Sequence, residues 1–117
     1  MASSVKKILI LNRNLRASVE MKRSLESTGR YEVAAFTTPD AALDHLRHQP
    51  DQSAVIVDFN LPRVNGRDVV LRVRAIAPDA LIIASPDTPE VARIVGELKL
   101  AGAVDLPSPA RKLITVI

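Results

Sequence analysis

The stretch Ala54-Val55-Ile56-Val57-Asp58-Phe59-Asn60-Leu61-Pro62-Arg63-Val64-Asn65-Gly66 is the one on which the fold turns. Its first four residues are apolar without alternation, the pattern of a strand covered on both faces and therefore central in a parallel sheet. The run closes on an acid, Asp58, and passes through a segment with Pro62 and Gly66, residues suited to a loop. A helix is then predicted from near Asn65 or Gly66, with Val69, Val70, Val73 and Ile76 inward, stopping before Pro78. Strand, terminal acid, loop and amphipathic helix make one βα unit.

The same exchange recurs in both directions along the chain. Strands are predicted over Val5–Leu11, Glu32–Phe36, Ala54–Phe59, Ala80–Ala84 and Ala103–Leu106, and Ile8-Leu9-Ile10-Leu11 again lacks alternation. Asn14 is suited to cap a first helix with Leu15, Val19, Met21 and Leu25 in one apolar arc and Gly29 as its stop. Thr38-Pro39-Asp40 reads as N-cap, N1 proline and first-turn acid of a second helix, closed by Pro50. Thr88-Pro89-Glu90 repeats that signal for a fourth helix, expected to end at Gly102, and Ser108-Pro109 opens a fifth, with Ser108 as its cap. Five βα units joined by right-handed crossovers give an α/β, three-layer, doubly wound five-stranded parallel sheet.

Composition narrows the function classes. The 117 residues make one domain, and 47 % hydrophobic with 25 % charged residues is the balance of a globular chain. The apolar end Ile114-Thr115-Val116-Ile117 carries no stop signal, so the domain reads as one excised from a longer chain. The absence of cysteine removes disulfide frameworks, thiol catalysis and Cys-ligated zinc, and fits a reducing, cytoplasmic setting. Only four apolar residues, Ile8 to Leu11, follow the basic N-terminus, too few for a signal peptide, and no window approaches the roughly 18 to 20 residues of a membrane span. The net charge of +3 arises in residues 1–50, with 8 basic and 5 acidic side chains against 8 and 8 in the remainder. Basic residues never run beyond two, and three aromatics (Tyr31, Phe36, Phe59) offer no stacking platform, so direct nucleic-acid binding is not expected.

In an open parallel sheet the functional crevice lies at the C-terminal strand ends. Asn12 and Arg13 follow the first strand, Asp58 closes the third, Ser85 follows the fourth and Ser108 the fifth. From Val5 to the end, the chain resembles the receiver domains of two-component response regulators. Val57-Asp58-Phe59-Asn60-Leu61-Pro62 with Gly66 is similar to the family's phosphoacceptor segment, Ser85 after Leu81-Ile82-Ile83-Ala84 stands at its switch hydroxyl, and Gly102-Ala103-Val104-Asp105 with Pro109 resembles its fifth-strand segment. The resemblance implies a flavodoxin-like fold with strand order 2-1-3-4-5, and Asp58 as the aspartate phosphorylated by a sensor kinase.

Four departures bear on that chemistry. The two acids that in the family follow the first strand and hold Mg²⁺ are Asn12 and Arg13 here, a poor donor set for a hard dication. The lysine position before the proline of the fifth loop is Ser108. Pro86 removes a backbone donor after Ser85. The segment from Gly102 to Pro109 is one residue short and lacks an aromatic near Leu106. Where the family's acids, acceptor and lysine sum to a negative charge, Asn12, Arg13, Asp58 and Ser108 sum to zero. Mg²⁺ binding is therefore expected to be weak or absent, with no other cofactor and no metal. The Arg13 guanidinium is expected to pair with Asp58 in the metal's place.

The expected function is that of a non-enzymatic signal-transduction receiver in a phosphorelay, with Asp58 as acceptor and a degenerate acid pocket. The alternative is a pseudo-receiver that works without phosphorylation as an interaction or dimerisation module, through the region of the fourth helix and fifth strand. Expected partners are a sensor histidine kinase or other signalling protein and a second copy of the chain, with no membrane. His45 and His48, three apart with polar neighbours and no third ligand, read as a solvated helix face, and Lys6-Lys7 and Lys22-Arg23 as surface charges. Asn12-Arg13-Asn14 lacks the glycines of a phosphate cradle, which argues against a flavin or nucleotide.

Overall fold

The computed structural model describes residues 5–117; the first four residues, on which the signal-peptide reading partly rests, lie outside them. Ten elements alternate: β1 (Lys6–Leu11), α1 (Leu15–Glu26), β2 (Tyr31–Phe36), α2 (Pro39–His48), β3 (Ala54–Asp58), α3 (Gly66–Ile76), β4 (Leu81–Ser85), α4 (Pro89–Leu98), β5 (Gly102–Ala103) and α5 (Ala110–Val116). All strand pairs are parallel and the order is β2-β1-β3-β4-β5. This is the expected doubly wound, flavodoxin-like sheet.

The strands alternate between two apolar layers, as the two-residue strand period requires. Ile8, Ile10, Ala54, Ile56 and Ile83 face Met21 and Leu25 of α1 and Leu113 of α5. Leu9, Leu11, Val55 and Val57 face Leu43 and Leu46 of α2 and Val69, Val70 and Val73 of α3, with Leu98 of α4 packed at the margin. Burying both faces explains why β1 and β3 read as unbroken apolar runs.

The capping signals form as read. Asn14 Oδ1 accepts the N–H of Ala17 at 3.1 Å, Thr38 Oγ1 that of Ala41 at 3.4 Å and Thr88 Oγ1 that of Val91 at 3.2 Å. Asn65 caps α3 through the N–H of Arg67 at 3.0 Å. Gly66, the next residue, is required by packing: a Cβ there would stand 2.5 Å from the Phe59 ring.

Four local expectations are corrected. The buried side of α1 is Ala17, Ser18, Met21 and Leu25, whereas Leu15 is 52 % exposed and Val19 only half-buried, because the small residues lie against the sheet. Helix α4 ends at Leu98 and not at Gly102; Lys99 takes the left-handed conformation (φ 55°) that closes it, and Gly102 begins β5. Strand β5 covers Gly102–Ala103 and not Ala103–Leu106: after the Val104 N–H donates to the Ala84 carbonyl at 2.9 Å, Asp105 turns its side chain to the Asp87 N–H and the ladder ends. Helix α5 has Pro109 at its N-cap with no side-chain cap, so Ser108 does not fill that role.

Candidate functional site

The parallel registers bring the strand ends together. Leu11 pairs with Val57, so the next step places Asn12 beside Asp58, and Asp58 pairs with Ser85. Two-residue alternation puts these three side chains in line with Ile10, Ile56 and Ile83, on the α1/α5 side of the sheet. All are buried, at 8 % exposure for Asn12, 3 % for Asp58 and 2 % for Ser85. They form the floor of a cavity of about 130 Å³ whose walls include Arg13, Asn14, Asn60, Pro86, Asp105 and Leu106.

Backbone donors hold the central carboxylate. Asp58 Oδ1 accepts the N–H of Asn60 at 2.8 Å and Oδ2 accepts the N–H of Arg13 at 3.0 Å. Asn12 Oδ1 accepts the N–H of Asn14 at 2.8 Å, which fixes its amide so that Nδ2 approaches Ser85 Oγ at 3.5 Å. The Phe59 N–H donates to the Ser85 carbonyl at 2.8 Å and ties the loop after β3 to the end of β4. At the β5 side of the cavity, Asp105 Oδ1 accepts the N–H of Asp87 at 3.0 Å, anchoring the β4–α4 loop.

The structure thus gathers Asn12, Arg13, Asp58 and Ser85 as the sequence suggests, with two differences. The Arg13 guanidinium does not pair with Asp58: Nη1 donates to the Asn60 carbonyl at 3.3 Å, and among the described residues no ion pair joins Arg13 to Asp58. The main chain of Arg13 already serves the buried carboxylate, and the exposed guanidinium keeps its hydration. Ser108 is not in the cavity wall either. Its hydroxyl lies 4.0 Å from Met21 Sδ, and from the segment after β5 it is Asp105 and Leu106 that line the cavity.

Asp105 and Asn60 are the wall residues that sequence reasoning did not single out. The signal for Asp105 was present, since it follows the apolar β5 segment much as Asp58 closes β3. Elsewhere, His48 Nδ1 is engaged by the Asp44 carbonyl at 2.8 Å, and the His45 ring lies 5.1 Å from that of Phe36. No group of three or more His, Cys, Asp or Glu side chains among the described residues is placed to hold a metal ion. No helix among them is long and apolar enough to cross a membrane.

No protein-family model matches the sequence, and no curated protein matches it. Solved structures match over almost the whole chain. A response regulator receiver domain protein from Clostridium thermocellum is 21 % identical, covering 96 % of this chain and 90 % of that one, with a TM-score of 0.80. A receiver domain protein from Methanospirillum hungatei is 20 % identical over 96 % of this chain and 90 % of that one, with a TM-score of 0.76. The chain has the receiver fold. A third match is a response regulator from Burkholderia pseudomallei, described with a phosphorylated aspartic acid, a calcium ion and citrate. It is 20 % identical over 95 % of this chain, which spans 65 % of that protein's length, with a TM-score of 0.78. In a doubly wound receiver fold the crevice at the C-terminal strand ends is the place for a ligand, and here that crevice is the cavity over Asp58.

Proposed function

We propose that this receiver-fold domain is a non-catalytic cytoplasmic signalling module that acts through protein contacts, with Asp58 at the phosphoacceptor position and a cavity unsuited to a divalent metal ion. Its partners in this reading are a sensor histidine kinase or other signalling protein, or a second copy of the chain. It makes no direct contact with nucleic acid or a membrane.

The observation that carries the reading is the identity of the oxygen donors on the cavity floor. Both oxygens of Asp58 are engaged by backbone N–H groups, Asn12 Oδ1 is engaged by Asn14, and Asp105 Oδ1 by Asp87. Each of these oxygens keeps a second lone pair, so the bonds orient the donors without blocking them; what the floor lacks for a hard dication is a second carboxylate beside Asp58, where Asn12 offers only an amide oxygen. An amide in the first acid position and an arginine in the second do not supply it. Leu106, not a cation, faces the cavity from the β5 side. Phosphoryl transfer relies on charge neutralisation by metal and lysine, so this donor set favours a pseudo-receiver whose conformation is set by its hydrogen bonds.

A second reading, phosphorylation at Asp58, draws on the buried Ser85 hydroxyl beside it and on the phosphorylated aspartic acid described for the Burkholderia pseudomallei protein. Amide NMR spectra recorded with Mg²⁺ and beryllofluoride separate the two. The pseudo-receiver reading expects unchanged Asp58, Asn60 and Ser85 resonances; saturable shifts at those residues overturn it in favour of phosphorylation.

A further inference from the structure

We propose that the outer edge of β2 is a latent strand-pairing surface for a second copy of this chain, held shut by the Lys22–Glu26 pair of α1. The inference is independent of the chemistry at Asp58.

Among the described residues, strand β2 is one margin of the sheet and pairs only with β1. The bonds from Lys6 N–H to the Arg30 carbonyl and from Asn12 N–H to the Phe36 carbonyl show that even-numbered carbonyls of this segment face β1. By alternation, the main-chain groups of Tyr31, Val33 and Ala35 point to the open side. An exposed edge of this kind is a template for another strand.

The edge has the symmetry needed for self-pairing. In an antiparallel arrangement about a two-fold axis through Val33, Val33 meets its own counterpart, and Tyr31 meets Ala35 of the second copy in both directions. Each pair exchanges two hydrogen bonds, and the large Tyr31 side chain lies opposite the small one of Ala35. Such an interface is isologous, so it closes at two copies. Tyr, Val and Phe in Tyr31–Phe36 favour the extended conformation, and Glu32 is the sole charge in the strand.

Both central groups of that edge are occupied from within. Glu26 Oε2 accepts the Val33 N–H at 2.9 Å, Lys22 Nζ donates to the Val33 carbonyl at 2.8 Å, and the two side chains bond each other at 3.1 Å. The pair imitates the strand that would otherwise dock. With Val33 satisfied, only Tyr31 and Ala35 remain, separated by a blocked position, and a continuous ladder cannot form.

The test is the full chain carrying Lys22→Met and Glu26→Leu, which keep helix propensity and aliphatic stems, followed by sedimentation velocity over a range of concentrations. The expected result is a concentration-dependent doubling of the wild-type particle mass, abolished by adding Ala35→Pro, which removes an outward N–H without touching the β1 ladder. A folded double variant with the wild-type mass at every concentration overturns the proposal, as does a larger particle indifferent to Ala35→Pro. Amide exchange on the wild-type chain gives a reading that does not depend on any variant. The Val33 amide is expected to exchange at least tenfold more slowly than those of Tyr31 and Ala35, and equal rates overturn the guard.

Discussion

The main-chain N–H of Arg13 donates to Oδ2 of Asp58 at 3.0 Å, while the guanidinium of the same residue turns to the Asn60 carbonyl at 3.3 Å. The bond that holds the buried carboxylate therefore does not depend on the arginine side chain. Arg13→Ala is expected to leave stability within about 0.5 kcal/mol of wild type, as for other exposed substitutions. Asp58→Ala, which strips the acceptor from two backbone donors, is expected to cost about 1–3 kcal/mol. In a double-mutant cycle by urea denaturation, the coupling between these changes is expected to stay below about 0.5 kcal/mol. A coupling of several kcal/mol would reveal a side-chain ion pair after all.

Gly66 and Phe59 form a packing pair whose disruption has a defined sign. A Cβ on Gly66 would stand 2.5 Å from one ring carbon of Phe59 and 2.7 Å from the next, so the ring must move. Gly66→Ala is expected to destabilise by about 1–3 kcal/mol, the usual cost of overpacking. Adding Phe59→Leu should recover part of that loss, so the two effects measured by urea denaturation combine to less than their sum. Strict additivity would place the cost in the backbone of Gly66 and not in the ring.

These pairs show which parts of the molecule were legible in sequence. The apolar runs of β1 and β3 and the Asn14, Thr38 and Thr88 caps depend on local pattern, and they located the sheet and three of its helices. That Asp58, Asn12 and Ser85 meet at one cavity was legible because a parallel sheet collects its strand ends. Side-chain direction was not legible. Whether Arg13 reaches Asp58 with its main chain or its guanidinium is settled by the loop after β1, and the competition between hydration and burial of a cation leaves no trace in residue order. Ser108 lies away from the cavity for a similar reason. In the irregular segment between β5 and α5, counting back from Pro109 does not say which residue faces the cavity. The α1 arc was misread because Leu15 and Val19 are more hydrophobic than Ala17 and Ser18, yet the smaller side is the one against the sheet.

Glu26 gives the fold a pH dependence of definite sign. The Val33 N–H, followed by the Lys22 ammonium, holds its carboxyl below the ordinary value of 4.5. A carboxyl whose pKa is lower in the folded state stabilises the fold above the unfolded pKa, and that contribution is lost as pH falls through the folded value. Stability is thus expected to decline on acidification below about pH 4.5, to a modest degree because the pair is partly exposed and screened by solvent. In Glu26→Gln this group's share of the decline should vanish. Urea midpoints for both proteins between neutral and acidic pH measure the difference, and identical curves would mean that Glu26 contributes nothing to the linkage.

Helix α4 is only lightly buried, and polar groups from α3 clamp its C-terminal half. Val91 is its one buried residue, while Arg67 bonds Glu97 and Arg74 Nη2 donates to the carbonyls of Leu98 and Lys99. Those carbonyls are among the groups a helix end leaves unpaired, and a cation there also meets the negative end of the helix dipole. Lys99 itself stands at φ 55°, a conformation that costs a non-glycine residue about 1–2 kcal/mol. Lys99→Gly removes that strain and is expected to stabilise by about 1 kcal/mol or somewhat less, since glycine also gains freedom in the unfolded chain. Arg74→Ala should act in the opposite direction and locally. Amides in the last turn of α4 should exchange faster, with those of β1 and β3 unchanged, because a weakly buried helix opens without the core. Uniform acceleration across α4, β1 and β3 would mean instead that α4 unfolds only with the whole sheet.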